Sequence, residues 1–354
     1  MGLKSTTTTL NPIKIKFLTP LWTGGVEKMD RIHETSIIGS LRWWYESIIR
    51  GLGHATCNPT EEPCNAENPC RVCKLFGCTG SKRKFSLFIT SNGDIQDNTI
   101  NIRPYGRKRG WYLPLGFTGD ITLNLYSNKD ITHIISLIHW LSEWGALGAK
   151  PQLGYGIFKI TSNTINPSFK SMERGTQPPG YLPDLRAFTF FKFHFVPHDT
   201  DWWKPIRDFQ YTIRNKESLK ILENLAAHTV PVAPLLKNYF RFRKKWESYR
   251  TVNWLFGSIG RYKQKSKVNF SWAYNIQDHW EIRGWVWLPQ DKRYFNKETM
   301  KTLENAIANE SEWLNALDLQ GKVSKAKLYI EPREHSWRTK DSTTIQNWLR
   351  GGSP

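Results

Sequence analysis

A chain of 354 residues with 39% hydrophobic content can bury a core in each of two ordinary domains, which excludes a disordered polymer. No apolar run approaches the roughly 20 residues that a membrane-spanning helix needs. Fifty Lys and Arg against 31 Asp and Glu give a formal net charge of +19; with 17 tryptophans, this points to a polyanion such as single-stranded nucleic acid, which stacks on exposed indoles.

The opening MGLKST matches a myristoylation pattern short enough to arise by chance, and LNPIKIKFL is too short and too charged for a secretory leader. A cytoplasmic protein is expected. Residues 11–22 alternate apolar and polar side chains and predict a first strand, broken by Thr23, Gly24 and Gly25. VEKMDRIHE reads as a polar loop. A helix follows, with Thr35 or Ser36 as its expected cap. On a helical wheel Ile37, Ile38, Leu41, Trp44, Tyr45, Ile48 and Ile49 share one side, while Gly39, Ser40, Arg42, Trp43, Glu46, Ser47 and Arg50 share the other. Trp44 is therefore expected in the core. Trp43 is expected to face outward in line with Gly39 and Arg50, as a contact surface for RNA or for another protein surface.

All five cysteines lie within 57–78, spaced Cys57-x6-Cys64-x5-Cys70-x2-Cys73-x4-Cys78. Such clustering argues against a disulfide framework and for a local metal site. Between Cys57 and Cys70 the chain has almost nothing apolar to bury, so a structural Zn²⁺ held by Cys57, Cys64, Cys70 and Cys73 would give the segment its order. Cys78, in LFGC, is expected to be a small buried residue. The basic run Lys82, Arg83, Lys84 is a candidate RNA contact by charge.

Strands are predicted at 84–90 and near 121–126, then a helix from 131 to 144 with Ile131, Ile134, Ile135, Leu137, Ile138 and Leu141 inward. Gly145-x2-Gly148-x5-Gly154-x-Gly156 follows a helix and precedes a strand, the reverse of a dinucleotide fingerprint. It reads as a backbone loop carrying Lys150 and suited to a phosphate chain. Residues 171–184 are rich in Pro and Gly and form the best linker. LRAFTFFKFHFVP predicts a strong strand, 279–289 another, 298–316 a helix and AKLYIEP a late strand. LFGCTGSKRKFSLF at 75–88 and LFGSIGRYKQKSKVNFS at 255–271 read as a degenerate duplication. The order of elements predicts an α+β fold of two ferredoxin-like domains: 1–170 with the cysteine-rich insertion at 54–80, a linker at 171–185, and 186–354.

The ordered set of TGG loop, ETSIIGSLRWWYESIIRG, CxxCKLFGCTG and LGAKPQLGYG, followed by WLFGSIG, KSKVNFSWAY and WEIRGWVWLP, resembles the RAMP superfamily of CRISPR proteins. Within it the set is similar to the family of first subunits of the type III-B Cmr effector. The resemblance covers about residues 12 to 290. It implies a non-catalytic RNA-binding subunit of a ribonucleoprotein, placed near the 3′ end of the crRNA and engaging single-stranded target RNA beside other Cmr subunits. The family's RNA contacts carried over are Thr23, Gly24, Gly25, Ser36, Gly39, Arg42, Trp43, Lys150, Gly154 and Gly156. Some members cut RNA with an acidic residue before the first helix, and the alternative here is an endoribonuclease using Asp30 with His33. A further reading is a protein-only scaffold that meets its neighbours through Trp and Arg.

Overall fold

The computed structural model describes residues 9–24, 28–163, 172–178, 180–259, 263–289, 291, 293, 294, 296–331 and 341–350. The myristoylation pattern, Gly25 and part of the linker lie outside the described residues. In chain order the N-terminal half contains β1 (Thr9–Phe17), α1 (Glu34–Gly51), α2 (Arg71–Phe76), β2 (Ser86–Ile102), β3 (Trp111–Ser127), α3 (Thr132–Trp144) and β4 (Phe158–Asn163). Its sheet is antiparallel with order β2-β3-β1-β4, the ferredoxin-like arrangement that the order of elements predicts.

The C-terminal half runs β5 (Phe188–Pro197), α4 (Gln210–Ile213), α5 (Lys216–Leu225), β6 (Thr229–Val230), α6 (Ala233–Phe242), α7 (Tyr249–Phe256), β7 (Val268–Phe270), β8 (Ala273–Ile276), β9 (His279–Trp287), α8 (Lys297–Ala306), α9 (Glu310–Ala316), β10 (Val323–Glu331) and α10 (Ser342–Leu349). Its sheet has the order β10-β5-β9-β8-β6. With β5, β8, β9 and β10 taken as the four principal strands, this is the same strand permutation as in the first half. The LFG repeat also folds alike in both places. α2 and α7 each end at a glycine with near-identical backbone angles (Gly77 φ 83°, ψ 163°; Gly257 φ 81°, ψ 164°), followed by a short bridge, Cys78–Ser81 or Ser258–Gln264.

Alternation along β5 sorts its side chains between two cores. Phe191 and Phe193 pack with Trp313, and Phe191 with Phe270 as well, inside the C-terminal half. Phe188 and Phe190 face the N-terminal half and meet Trp44 and Trp140. Trp44 also lies 5.2 Å from Trp285 of β9. The inward residues expected on α3 are all buried.

Three expectations need correction. α1 begins at Glu34 behind His33, with no side-chain cap; the Thr23 hydroxyl accepts the His33 N–H (3.0 Å) and holds the entry to the helix, while Thr35 and Ser36 fall inside the first turn. β2 and β3 are 17 residues each, longer than expected, because the polar middle of the hairpin loses the alternating pattern before Ile100, Ile102, Leu113 and Leu115 are buried again near its tip. The single helix expected at 298–316 is two, since the Asn309 side chain accepts from Ser311 N–H and starts a new one.

Candidate nucleic-acid interface

α1 is built as its apolar period dictates: Ile37, Leu41, Trp44, Tyr45, Ile48 and Ile49 are buried and Ile38 is half-buried. The outer face divides. Gly39 is exposed, with open space where a side chain would stand. Trp43 is 37% exposed; its ring packs edge-on against Trp44 (4.7 Å) and reaches Phe188 (6.1 Å). Trp43 is thus the rim of the contact between the two halves as well as an open indole face.

Arg42 and Arg50 do not face solvent as the helical wheel implies. Arg42 donates to Glu46 (2.9 Å), to the Gly77 carbonyl (2.9 Å) and to the Cys73 sulfur (3.2 Å). Arg50 is buried, donating to the carbonyls of Pro183 (2.9 Å) and Cys57 (3.4 Å) and to Glu46 (3.4 Å). The insertion and the C-terminal half cover that side of the helix, which no local period reveals.

The glycine loop also departs from expectation. Gly154 has φ 94°, and a Cβ there would stand 2.4 Å from Cδ1 of Trp272; at Gly156 (φ 82°) it would stand 1.9 Å from the Leu147 carbonyl. Both glycines are buried, and Trp272 Nε1 donates to Leu153 O (2.8 Å). The loop docks the two halves and does not lie open to a phosphate chain. Lys150 is half-buried at φ 60°, its Nζ 3.6 Å from the centre of the Trp22 ring, and burial lowers its pKa. Thr23 is buried and organises the preceding loop, also donating to Arg31 O (3.3 Å); Gly24 and Ser36 are half-buried. Lys82, Arg83 and Lys84 are exposed on the approach to β2. Asp30 and His33 form an exposed pair (2.8 Å), and the hydrogen bond holds the Asp30 carboxyl below its usual range.

The four chosen cysteines converge. Their sulfurs lie within 4.8 Å of one another, close enough to bind a metal ion. Cys57 and Cys73 are 3.5 Å apart, and Cys70 N–H donates to the Cys64 sulfur (3.3 Å). Burial pushes the Cys57 and Cys73 thiols up. Burial opposes ionisation at Cys70 too, but hydrogen bonds from the Cys57 and Cys73 backbone bring it down to about 7. Thiolates this close repel unless a cation sits among them, which is the chemistry of a closed four-thiolate shell. Cys78 stands apart and half-buried, not fully buried as expected, its thiol toward the Asn65 carbonyl (3.3 Å).

One feature escaped the sequence reading. The tip of the β2–β3 hairpin meets the segment just before α5 and forms a cleft of about 500 Å³. One wall carries Arg103, Arg107 and Lys108, the other Arg207 and Arg214; among the described residues no carboxylate lines it. Tyr105 (60% exposed) and Tyr211 (50% exposed) offer ring faces there, and each has a guanidinium over it: Arg207 over Tyr105 (3.7 Å), Arg103 over Tyr211 (4.2 Å). The hairpin tip is fixed by Tyr105 N–H donating to buried Asp208 (3.1 Å) and by Arg107 Nε donating to Asn238 (3.0 Å). The available signal was RPYGRKRG at 103–110, a basic run interleaved with an aromatic; its partner wall is about a hundred residues away in sequence.

Residues 14–159 match the family model of the RAMP superfamily. No curated protein matches the chain. Among solved structures it is similar to Cmr1 from Pyrococcus furiosus in its apo form, with 13% identity and a TM-score of 0.43 over 94% of this chain and 100% of that one. It is also similar to a chain in a cryo-EM structure of the type III-B Cmr-beta complex bound to cognate target RNA and AMPPnP in the presence of ssDNA. There the identity is 9% and the TM-score 0.38, over 96% of this chain and 98% of that one. The segment that matches the RAMP superfamily model spans the first sheet from within β1 to the start of β4.

Proposed function

We propose that this chain is a non-catalytic RNA-binding subunit of a type III-B CRISPR ribonucleoprotein effector. In this reading it works in the cytoplasm in antiviral defence, sits near the 3′ end of the crRNA beside other Cmr subunits, and helps engage single-stranded target RNA. Two RAMP domains, 1–170 and 186–354, carry it, and a structural Zn²⁺ on Cys57, Cys64, Cys70 and Cys73 orders the insertion. The observation that carries the RNA reading is the cleft between the hairpin tip and residues 207–214. Five cations and two accessible tyrosines without an opposing carboxylate are what a flexible polyanion with flat bases requires. Trp43 and the exposed Lys82–Lys84 run extend that basic, aromatic character elsewhere on the N-terminal half.

The test is binding of a labelled single-stranded RNA across a salt series. The Arg103→Ala, Arg107→Ala, Arg207→Ala triple variant is expected to bind at least ~10-fold more weakly, its log K against log salt slope shallower by about 2, at ~0.7 per lost phosphate contact. An unchanged slope and affinity would remove the cleft from the interface. Cleavage by Asp30 and His33 is the less favoured reading, because a carboxyl of lowered pKa is a poorer proton acceptor and the pair lies open to solvent. Purified protein incubated with the same RNA, with and without Mg²⁺, is expected to leave it intact.

A further inference from the structure

The face of the second sheet turned toward the N-terminal half becomes polar at its outer end. β5 and β9 are paired so that His194 stands directly opposite Glu281, and alternation puts His279 on the same face as Glu281. An i, i+2 pair on one strand with a third donor on the adjacent strand brings three side chains to one point. Their donor atoms lie within 4.8 Å of one another.

We propose that His194, His279 and Glu281 form a binding site for one divalent transition-metal ion, for which Zn²⁺ is the best match to two imidazoles and a carboxylate. The surrounding bonds point each donor the right way. His279 Nδ1 is 2.8 Å from the Asp278 carboxylate, which can only accept, so Nδ1 carries the proton and Nε2 presents its lone pair. That Nε2 is buried and finds no hydrogen-bond partner among the described residues. A carboxylate behind a histidine is the arrangement that orients metal ligands. Glu281 is divided between its oxygens: Oε1 takes the Tyr274 hydroxyl and Arg283 Nε (3.1 Å), while Oε2 meets His194 Nε2 (2.6 Å) and no other donor among the described residues. A metal ion would replace the proton on His194 Nε2 and bind Oε2. Arg283 is already matched by Glu281, and nearby Lys192 is paired with Glu143 (3.2 Å). The His194 and His279 side chains are about a quarter exposed, so the cluster lies near the surface although the His279 Nε2 atom is covered.

The full chain, prepared without a polyhistidine tag and dialysed free of loosely held metal, is titrated with Co²⁺ and followed by absorption. Cobalt on the cysteine cluster gives an intense thiolate charge-transfer band in the near ultraviolet; cobalt on two imidazoles and a carboxylate gives only weak visible bands. The expected result is one further equivalent without the charge-transfer band. His279→Ala removes that equivalent while the thermal midpoint and the thiolate band stay unchanged. Asp278→Asn weakens it about 10-fold. Uptake of thiolate-bound cobalt alone, or an undiminished second equivalent in His279→Ala, would overturn the proposal. Neither outcome bears on RNA binding at the hairpin cleft.

Discussion

Lys237 lies inside α6, its Nζ 5.9 Å from the centre of the Trp111 ring. Burial, aided by repulsion from Arg241, lowers its pKa from 10.5 to about 7. The folded value lies below the unfolded one, so the unfolded chain binds more protons between them and stability rises with pH across that window. Lys237→Met removes the penalty. It is expected to stabilise by at least ~1 kcal/mol at pH 7 and below, one pKa unit being worth about 1.4 kcal/mol, with the gain fading toward pH 10.5. Thermal melts of both proteins at pH 6.5 and 9.5 check this; an equal gain at the two values would show that charge is not the cause. Arg42 shows the same dependence on surroundings. Its register on the helix is right, yet the insertion folds over it and occupies its donors.

At the scale of elements, the cysteine insertion is the part whose order depends least on apolar packing. Of its four converging cysteines only Cys73 is fully buried. Cys70→Ser, or removal of metal by a strong chelator, is expected to speed hydrogen exchange across 57–78 several-fold or more while β1, β3 and β4 keep their protection. Uniform loss of protection would show instead that the insertion supports the whole first core. The convergence of the four cysteines was readable because Cys-x2-Cys and its partners lie close in sequence. So was the inner stripe of α1, whose period depends only on neighbouring turns. The burial of Glu46, Ser47 and Arg50 was not readable, since the covering surfaces come from 54–80 and from residues beyond 180. The boundaries of the glycine loop are local and legible, but its neighbour is not: Trp272, more than a hundred residues away, packs directly against Gly154. HWEIRGWVW was legible as a strand, and its alternation already placed His279, Glu281 and Arg283 on one face. Only the pairing with β5 brings His194 to them.

For the whole molecule, the two halves share a continuous aromatic contact rather than a loose linker. Trp44, Trp140, Phe188, Phe190 and Trp285 meet there, and Arg283 Nη1 donates to the Ser142 carbonyl (2.7 Å) across it. Trp44→Ala is expected to cost about 3–5 kcal/mol in denaturant unfolding, the usual loss for emptying a large aromatic site. A loss below ~1 kcal/mol would mean the contact contributes little to holding the halves together.

The hairpin cleft takes Arg103, Arg107 and Lys108 from one half of the chain and Arg207 and Arg214 from the other. Occupancy and docking are therefore thermodynamically linked: an anion seated there binds the closed arrangement and neither half alone with full strength. At a free concentration one hundred times its dissociation constant, such an anion adds about 2.7 kcal/mol to that arrangement. The same five like charges, drawn together around Tyr105 and Tyr211, oppose closure by mutual repulsion. An anion seated among them offsets that repulsion and so favours the closed fold.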